Sequence, residues 1–254
     1  MLDLPISGVV LARNEAATVG FTLSSLKKVC DELIFVDGSS TDGTTELAMR
    51  YATKLCRREP KAIVELERMF ALSEASKEWV IYLDGDELLS KELSSHVRSL
   101  AQDDAVSADG VLELPIYKGR VIRWGYYKAN YQTRFYRKAA VTYKGILHEL
   151  PEVQGLTKYI DFPILHFTKE PWNPIPQRTK RWMKIEAMQT KLKASRTKYL
   201  LYSFVDVGKN LYSFFVTNKA YRDGVVGVEM HLKLILCLFM RKFYRAALSK
   251  REGK

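Results

Sequence analysis

Three apolar runs of strand length, Ile6–Ala12, Glu32–Val36 and Trp79–Leu83, lie within the first hundred residues, with helix-patterned stretches between them. The helical patterns cover Glu15 to Lys28, the segment from the Gly38–Gly43 turn to Tyr51, and Glu65 to Ala75. Ser40, Thr41 and Asp42 in that turn are all residues that cap helix N-termini well. A weaker strand pattern at Lys54–Arg57 falls between the second and third helices. This β-α-β-α order predicts a parallel sheet with helices on its faces.

Beyond residue 110 the pattern changes. VLELPIY, RVIRWGYY and QTRFYR alternate or carry aromatics with glycine punctuation, which predicts antiparallel strands and loops added to the first half. PWNPIP, from Pro171 to Pro176, has three prolines in six residues and reads as a boundary. We therefore expect one domain over residues 1–170 and a basic helical region over 171–254.

Charge supports that division. Residues 178–254 hold 18 Lys and Arg against 5 Asp and Glu, a net of +13, whereas residues 1–177 carry −2. So uneven a distribution points to an anionic partner for the C-terminal third, either a membrane surface or a polyanion. Within that region Val225–Leu248 contains LKLILCLFM flanked by RKFYR. Glu229, His231 and Lys233 interrupt it too much for a convincing membrane span. A core helix and an interfacial helix, apolar residues among lipid headgroups, both remain open. Cys30, Cys56 and Cys237 are odd in number and widely spaced, as expected of buried thiols in a reducing compartment. The first residues carry an acid and no basic segment before a short apolar run, so a signal peptide is not expected.

The chemistry is expected where strands end. Asp37 closes the second strand, and Asp84-Gly85-Asp86 closes the third, followed at once by Glu87. Two carboxylates one residue apart repel unless a cation lies between them, and a hard divalent ion such as Mg²⁺ or Mn²⁺ suits oxygen ligands. Such an ion would neutralise charge on a departing diphosphate. The bland alternative is an Asp-Gly-Asp turn capping a helix that starts at Leu88. Neither GxGxxG after the first strand nor GxxxxGK[ST] is present, which disfavours nicotinamide and P-loop chemistry.

Three blocks, VVLARNEAATVGFTLSSL, DELIFVDGSSTDGTTELA and the stretch ending WVIYLDGDE, resemble the family 2 glycosyltransferases in order and spacing. RFYRKAAVTYKGILHELPE and KAYRDGVVG resemble a bacterial branch that includes lipopolysaccharide-core β-1,4-glucosyltransferases and related enzymes of surface-polysaccharide assembly. The resemblance implies a GT-A fold: an α/β, Rossmann-like mixed sheet that binds a nucleotide sugar, with flanking helices. It also implies that Leu11, Ala12, Arg13 and Glu15 contact the nucleotide and that Asp37 receives an N–H of the base, typically uracil. Arg68 would lie near the base or phosphates, although Met69 departs from the Asn common in relatives. Asp86, with Gly85 between it and Asp84, would be the more direct metal ligand, and Asp84 would meet ribose or metal.

For the inverting transfer a carboxylate must take the acceptor's proton. Glu149 in the late His148-Glu149 block is the candidate base, and His148 a candidate pocket, metal or diphosphate ligand; Asp161 and His166 are runners-up. Arg134 and Arg137 either clamp phosphate or brace a loop. Trp124, Tyr126 and Tyr127 either stack on a sugar or fill core. The implied function is transfer of a hexose from a UDP-sugar to a lipid-linked saccharide or lipopolysaccharide core. The expected setting is the cytoplasmic face of the inner membrane, with peripheral attachment. Two other classes compete: a nucleic-acid binder using the basic helices, though no such module is visible, and a nucleotidyltransferase, which lacks its basic phosphate loop.

Overall fold

The computed structural model describes residues 6–59, 64–144, 150–168, 183 and 196–248. Their packing divides the chain into two compact units. One comprises Met1–Leu114 with Ala129–Phe167, and the other Pro115–Lys128 with Thr168–Lys254.

In the first unit the chain runs β1 (Ile6–Ala12), α1 (Val19–Lys27), β2 (Glu32–Asp37), α2 (Thr44–Ala48), β3 (Lys54–Arg57), α3 (Val64–Glu74) and β4 (Trp79–Asp84). It continues through β5 (Glu87–Leu89), α4 (Lys91–Leu100) and β6 (Val106–Tyr117), whose last residues enter the second unit. β7 (Arg120–Val121) belongs to that second unit; β8 (Tyr131–Arg137), β9 (Val141–Thr142), β10 (Glu152–Val153) and β11 (Leu156–Phe167) return to the first. The main sheet has the order β3-β2-β1-β4-β8-β6-β11-β5. β3, β2, β1 and β4 are mutually parallel, and β8 pairs antiparallel with both β4 and β6.

The four parallel strands keep their expected bounds to within a residue; β1, β2 and β4 are buried on both faces and so read as continuous apolar stretches, while the edge strand β3 is half exposed. Ile6, Val10, Phe35, Ile81 and Leu83 pack on one face with Leu23 and Leu26 of α1 and with Leu93 and Val97 of α4. Val9, Ile34, Val36, Val80 and Tyr82 fill the other face with Ala71 and Ala75 near the end of α3.

The second unit is largely helical: α5 (Arg196–Leu211) passes through a π-helical turn at Tyr212–Thr217, and a short turn at Ala220–Asp223 leads into α6 (Gly224–Leu248). His231 of α6 is fully buried. Its Nδ1 lies 2.7 Å from the Gly227 carbonyl, and its Nε2 accepts the Tyr126 backbone N–H at 3.0 Å. That pairing fixes a neutral ring, and burial pushes its pKa down. Gly125 adopts a left-handed backbone, and a Cβ there would meet the His231 ring at 2.1 Å, so glycine is required.

Candidate active site

Parallel register aligns the acidic strand ends. Ala12 of β1 lies opposite Asp37 of β2, and Leu11 opposite Asp84 of β4. Successive strands are added first to one side of β1 and then to the other, and in open α/β sheets ligands bind at such a switch point.

Asp37 is wholly buried. Its carboxylate accepts the Ser40 N–H at 3.1 Å and the Thr45 hydroxyl at 2.9 Å, and Arg57 Nε stands 3.7 Å away. Hydrogen bonds across the gap join the loops after β1 and β2. Asn14, itself left-handed, donates its N–H to Ser40 Oγ at 3.0 Å and accepts from Thr41 N–H at 2.9 Å; Glu15 N–H donates to Thr44 Oγ1 at 2.8 Å. Ser40 and Thr41 of the Gly38–Gly43 turn thus bind the neighbouring loop instead of capping α2, whose N-cap is the left-handed Gly43 with no side-chain cap bond.

The Asp84-Gly85-Asp86 loop is fixed as tightly. Gly85 donates to the Leu11 carbonyl at 2.9 Å, and its own carbonyl accepts the hydroxyls of Thr18 at 3.0 Å and Thr22 at 3.1 Å. A Cβ at position 85 would sit 2.5 Å from the Ala12 Cβ, so the loop's approach to β1 requires glycine. No helix starts at Leu88. Glu87–Leu89 forms β5, paired with Ile164–His166 of β11, and α4 starts only at Lys91.

Around this loop carboxylates and cations interleave. The Tyr82 hydroxyl donates to Asp84 Oδ1, while Asp84 Oδ2 faces Arg134 at 3.5 Å and Arg68 at 3.7 Å. Burial opposes ionisation of Asp84, but the two guanidiniums and the hydroxyl outweigh it and hold its carboxyl below the usual range. Arg134 also donates to Glu87 Oε1 at 2.6 Å and lies 3.7 Å from Glu113. Burial, with the like charges of Asp84 and Glu113, pushes the Glu87 carboxyl up to about 8 against the pull of Arg134. His166 Nδ1 lies 3.1 Å from Glu113, and its Nε2 lies 3.6 Å from Asp86 Oδ1. Burial disfavours its charged form, yet the carboxylates of Asp86 and Glu113 that face its two nitrogens outweigh this and push its pKa up to about 11.

Glu87, Glu113 and His166 offer ligand atoms within 4.8 Å of one another. Glu87, however, is held through one oxygen by Arg134 and through the other by the Asp84 N–H at 2.9 Å. Asp86 and His166 are less enclosed, with side chains 19% and 33% exposed, and they face each other. A carboxylate and an imidazole held so fit a divalent cation, which would take the place of the Nε2 proton between them, and Glu113 on the far ring nitrogen is the outer partner that orients a ligating histidine.

Other expected residues divide between places. Leu11 and Glu15 are buried, Arg13 is exposed, and Arg68 donates to the Tyr82 hydroxyl at 3.1 Å beside Asp84. Met69 is 40% exposed. Arg137 lies opposite Trp79, the first residue of β4 and thus at the strand end remote from Asp84; it binds Glu78, Asp104 and the Val106 carbonyl. It braces that edge of the sheet. Asp161 accepts the Tyr131 hydroxyl. Trp124, Tyr126 and Tyr127 belong to the second unit, where Arg222 stacks on Trp124 and Tyr126 meets Phe214 edge-on. His148 and Glu149 lie outside the described residues. Glu113 and Tyr82 escaped sequence reasoning: Glu113 reaches the loop only through the sheet's pairing, whereas Tyr82, two residues before Asp84 on the same strand, is legible from strand alternation.

Comparison with known proteins places these features in context. The family model described as "Glycosyl transferase family 2" matches residues 7–161. A protein of Rickettsia felis described as an uncharacterized glycosyltransferase is 35% identical over 92 residues, 36% of this chain and 32% of that protein. The lipopolysaccharide core biosynthesis glycosyltransferase LpsC of Rhizobium meliloti is 32% identical over 136 residues, 52% of this chain and 48% of LpsC. The matched stretches thus span half or less of these relatives' length. Among solved structures, S. aureus TarS 1-349 in complex with UDP matches with a TM-score of 0.50 at 17% identity, covering 96% of this chain and 83% of that one. At that identity the likeness is one of fold.

Proposed function

The chain belongs to glycosyl transferase family 2, and we propose that it moves a hexose from a UDP-sugar to a lipid-linked saccharide or lipopolysaccharide-core acceptor, inverting to a β linkage. Its mixed sheet with flanking helices is similar to that of GT-A glycosyltransferases. The observation that carries the proposal is the meeting of Asp37 and Asp84-Gly85-Asp86 at the aligned ends of β2 and β4, on either side of β1. The UDP held by TarS and the lipopolysaccharide role in the name of LpsC support the donor and the acceptor class.

In this reading Asp37 receives an N–H of the uracil, and Leu11, Ala12, Arg13 and Glu15 line the nucleotide. Arg68 and Asp84 serve the phosphates and ribose. Asp86 and His166 would hold a divalent cation, Mg²⁺ or Mn²⁺, which supplies positive charge against the departing diphosphate. Arg134 stands between the carboxyl groups of Asp84, Glu87 and Glu113 and offsets their mutual repulsion. As the acceptor oxygen bonds to the anomeric carbon, the bond to the diphosphate breaks, and a carboxylate, for which Glu149 is the candidate by resemblance, takes the hydroxyl proton. A lipid-borne acceptor places the work at the cytoplasmic face of the inner membrane. No helix among the described residues is long and apolar enough to cross a membrane.

The test is UDP-sugar turnover by the purified protein with and without EDTA. Turnover is expected to require Mn²⁺ or Mg²⁺ and to fall at least a hundredfold in Asp86→Ala, about 2.7 kcal/mol of transition-state stabilisation. Full activity in EDTA, or in Asp86→Ala, would overturn the metal assignment.

A further inference from the structure

The helices of the second unit are amphipathic in an unusual sense. Facing inward, α5 buries Ser203, and Val207 and Phe214 of α5 and its π turn pack with Ile235 and Leu238 of α6. Outward, α5 carries Leu201 and Val205, and the first residue of the π turn, Tyr212, follows at a spacing of seven that continues the same face. Leu201 is 62% exposed and Tyr212 65%. Leu232, Leu236 and Phe243 form a similar exposed stripe on α6 at spacings of four and seven. Phe204, 63% exposed, joins the two stripes, its ring 5.2 Å from that of Phe239. Apolar side chains concentrated in this way on two packed helices mark a surface with a partner.

Charge identifies the kind of partner. Residues 196–248, which hold these helices, carry nine Lys and Arg against three Asp and Glu, so two copies apposed through this face would bring like charges together. The acids of these helices do not offset that charge outward. Asp206 is paired with Lys242, and Glu229 is held by Lys118 and Lys233. Exposed Lys209 lies between Val205 and Tyr212, four residues after one and three before the other, where its stem can follow the apolar stripe and its ammonium can reach outward. An apolar surface set in positive charge complements an anionic bilayer, with side chains among the acyl boundary and cations at the phosphates.

We infer that the paired outer faces of α5 and α6 form a docking surface that lies in the plane of an anionic membrane. The inference deepens the lipid-borne acceptor of the proposed function and rests on that reading. It also moves the interfacial element: the sequence offers Val225–Leu248 alone, whereas the exposed stripe of α5 is an equal part of the face.

Flotation of the full chain with vesicles, in the absence of acceptor, tests the inference. Binding is expected to vesicles containing about one third phosphatidylglycerol and to be at least tenfold weaker with phosphatidylcholine alone or at high salt. The double variant Leu201→Ser, Phe204→Ser is expected to lower binding at least tenfold, and Lys209→Glu to lower it at low salt. Both should leave the melting temperature and UDP-sugar turnover unchanged. Equal binding by variant and parent, or no binding by the parent, would overturn the docking face. So would a dimer in sedimentation velocity that the double variant dissociates. Turnover without flotation would refute the docking surface alone, and flotation without turnover would refute the glycosyltransferase reading alone.

Discussion

At the scale of single residues, the site is governed by Arg134. One guanidinium stands 2.6 Å from Glu87, 3.5 Å from Asp84 and 3.7 Å from Glu113, with only 10% of its side chain exposed. Its charge is offset by carboxylates that would otherwise repel, and their burial is tolerable only while it is there. Removing one partner of a buried pair leaves the other uncompensated, so Arg134→Ala is expected to cost about 3–5 kcal/mol of stability, read by urea denaturation. Adding Glu87→Gln should recover part of that loss; a double variant no more stable than the single one would show that Arg134 acts through packing instead. The sequence marks this residue only weakly. QTRFYR offers Arg134 and Arg137 as equivalent phosphate clamps, and nothing local separates them. The register of β8 on β4 does so, placing Arg137 against Trp79 at the strand's start and Arg134 beside Asp84 at its end.

At the scale of elements, legibility follows burial. Strands β1, β2 and β4 are readable because both of their faces are covered, whereas the edge strand β3 exposes Lys54 and Arg57 and carries only the weaker pattern. β5 is not readable: three residues after Asp-Gly-Asp carry too little pattern, and the same segment could as well have opened a helix. What decides is pairing with Ile164–His166, which lies far along the chain. Pro163, the residue just before that pairing, accepts the Ser90 N–H at 3.1 Å. Ser90 then turns the chain into α4, its Oγ accepting the Leu93 N–H at 3.0 Å as an N-terminal cap. The cap and the strand end therefore share one residue. Ser90→Ala is expected to cost about 1 kcal/mol, and Ser90→Asp to cost less, because an aspartate still accepts the Leu93 N–H. Thermal unfolding of the two variants side by side checks this, and equal losses would place the effect in burial of the residue, which is only 5% exposed.

At the scale of the whole molecule, two buried groups, one in each unit, respond to acid in opposite senses. In the first, Asp109 of β6 is 1% exposed, and its Oδ2 has no hydrogen-bond partner among the described residues; burial pushes its carboxyl up to about 6. Because the folded value lies above the unfolded one, near 3.9, the folded unit binds the extra proton between the two, and stability falls as pH rises through that window. At neutral pH Asp109 is thus a cost, and Asp109→Asn is expected to stabilise the protein by about 1–2 kcal/mol at pH 7.5 and by less at pH 5. His231 in the second unit works the other way. Its pKa is lowered by burial, so the unfolded chain binds the proton first. The stability it contributes is present above the unfolded value, near 6.5, and is lost as pH falls through the folded one. A His231→Gln variant is therefore expected to be less stable than the parent at pH 7.5, with the gap closing toward pH 5. Calorimetric scans of the parent and both variants at these two pH values separate the contributions. A gap that widened on acidification for His231→Gln would mean that the ring is charged in the folded state, which its acceptor bond from the Tyr126 N–H forbids.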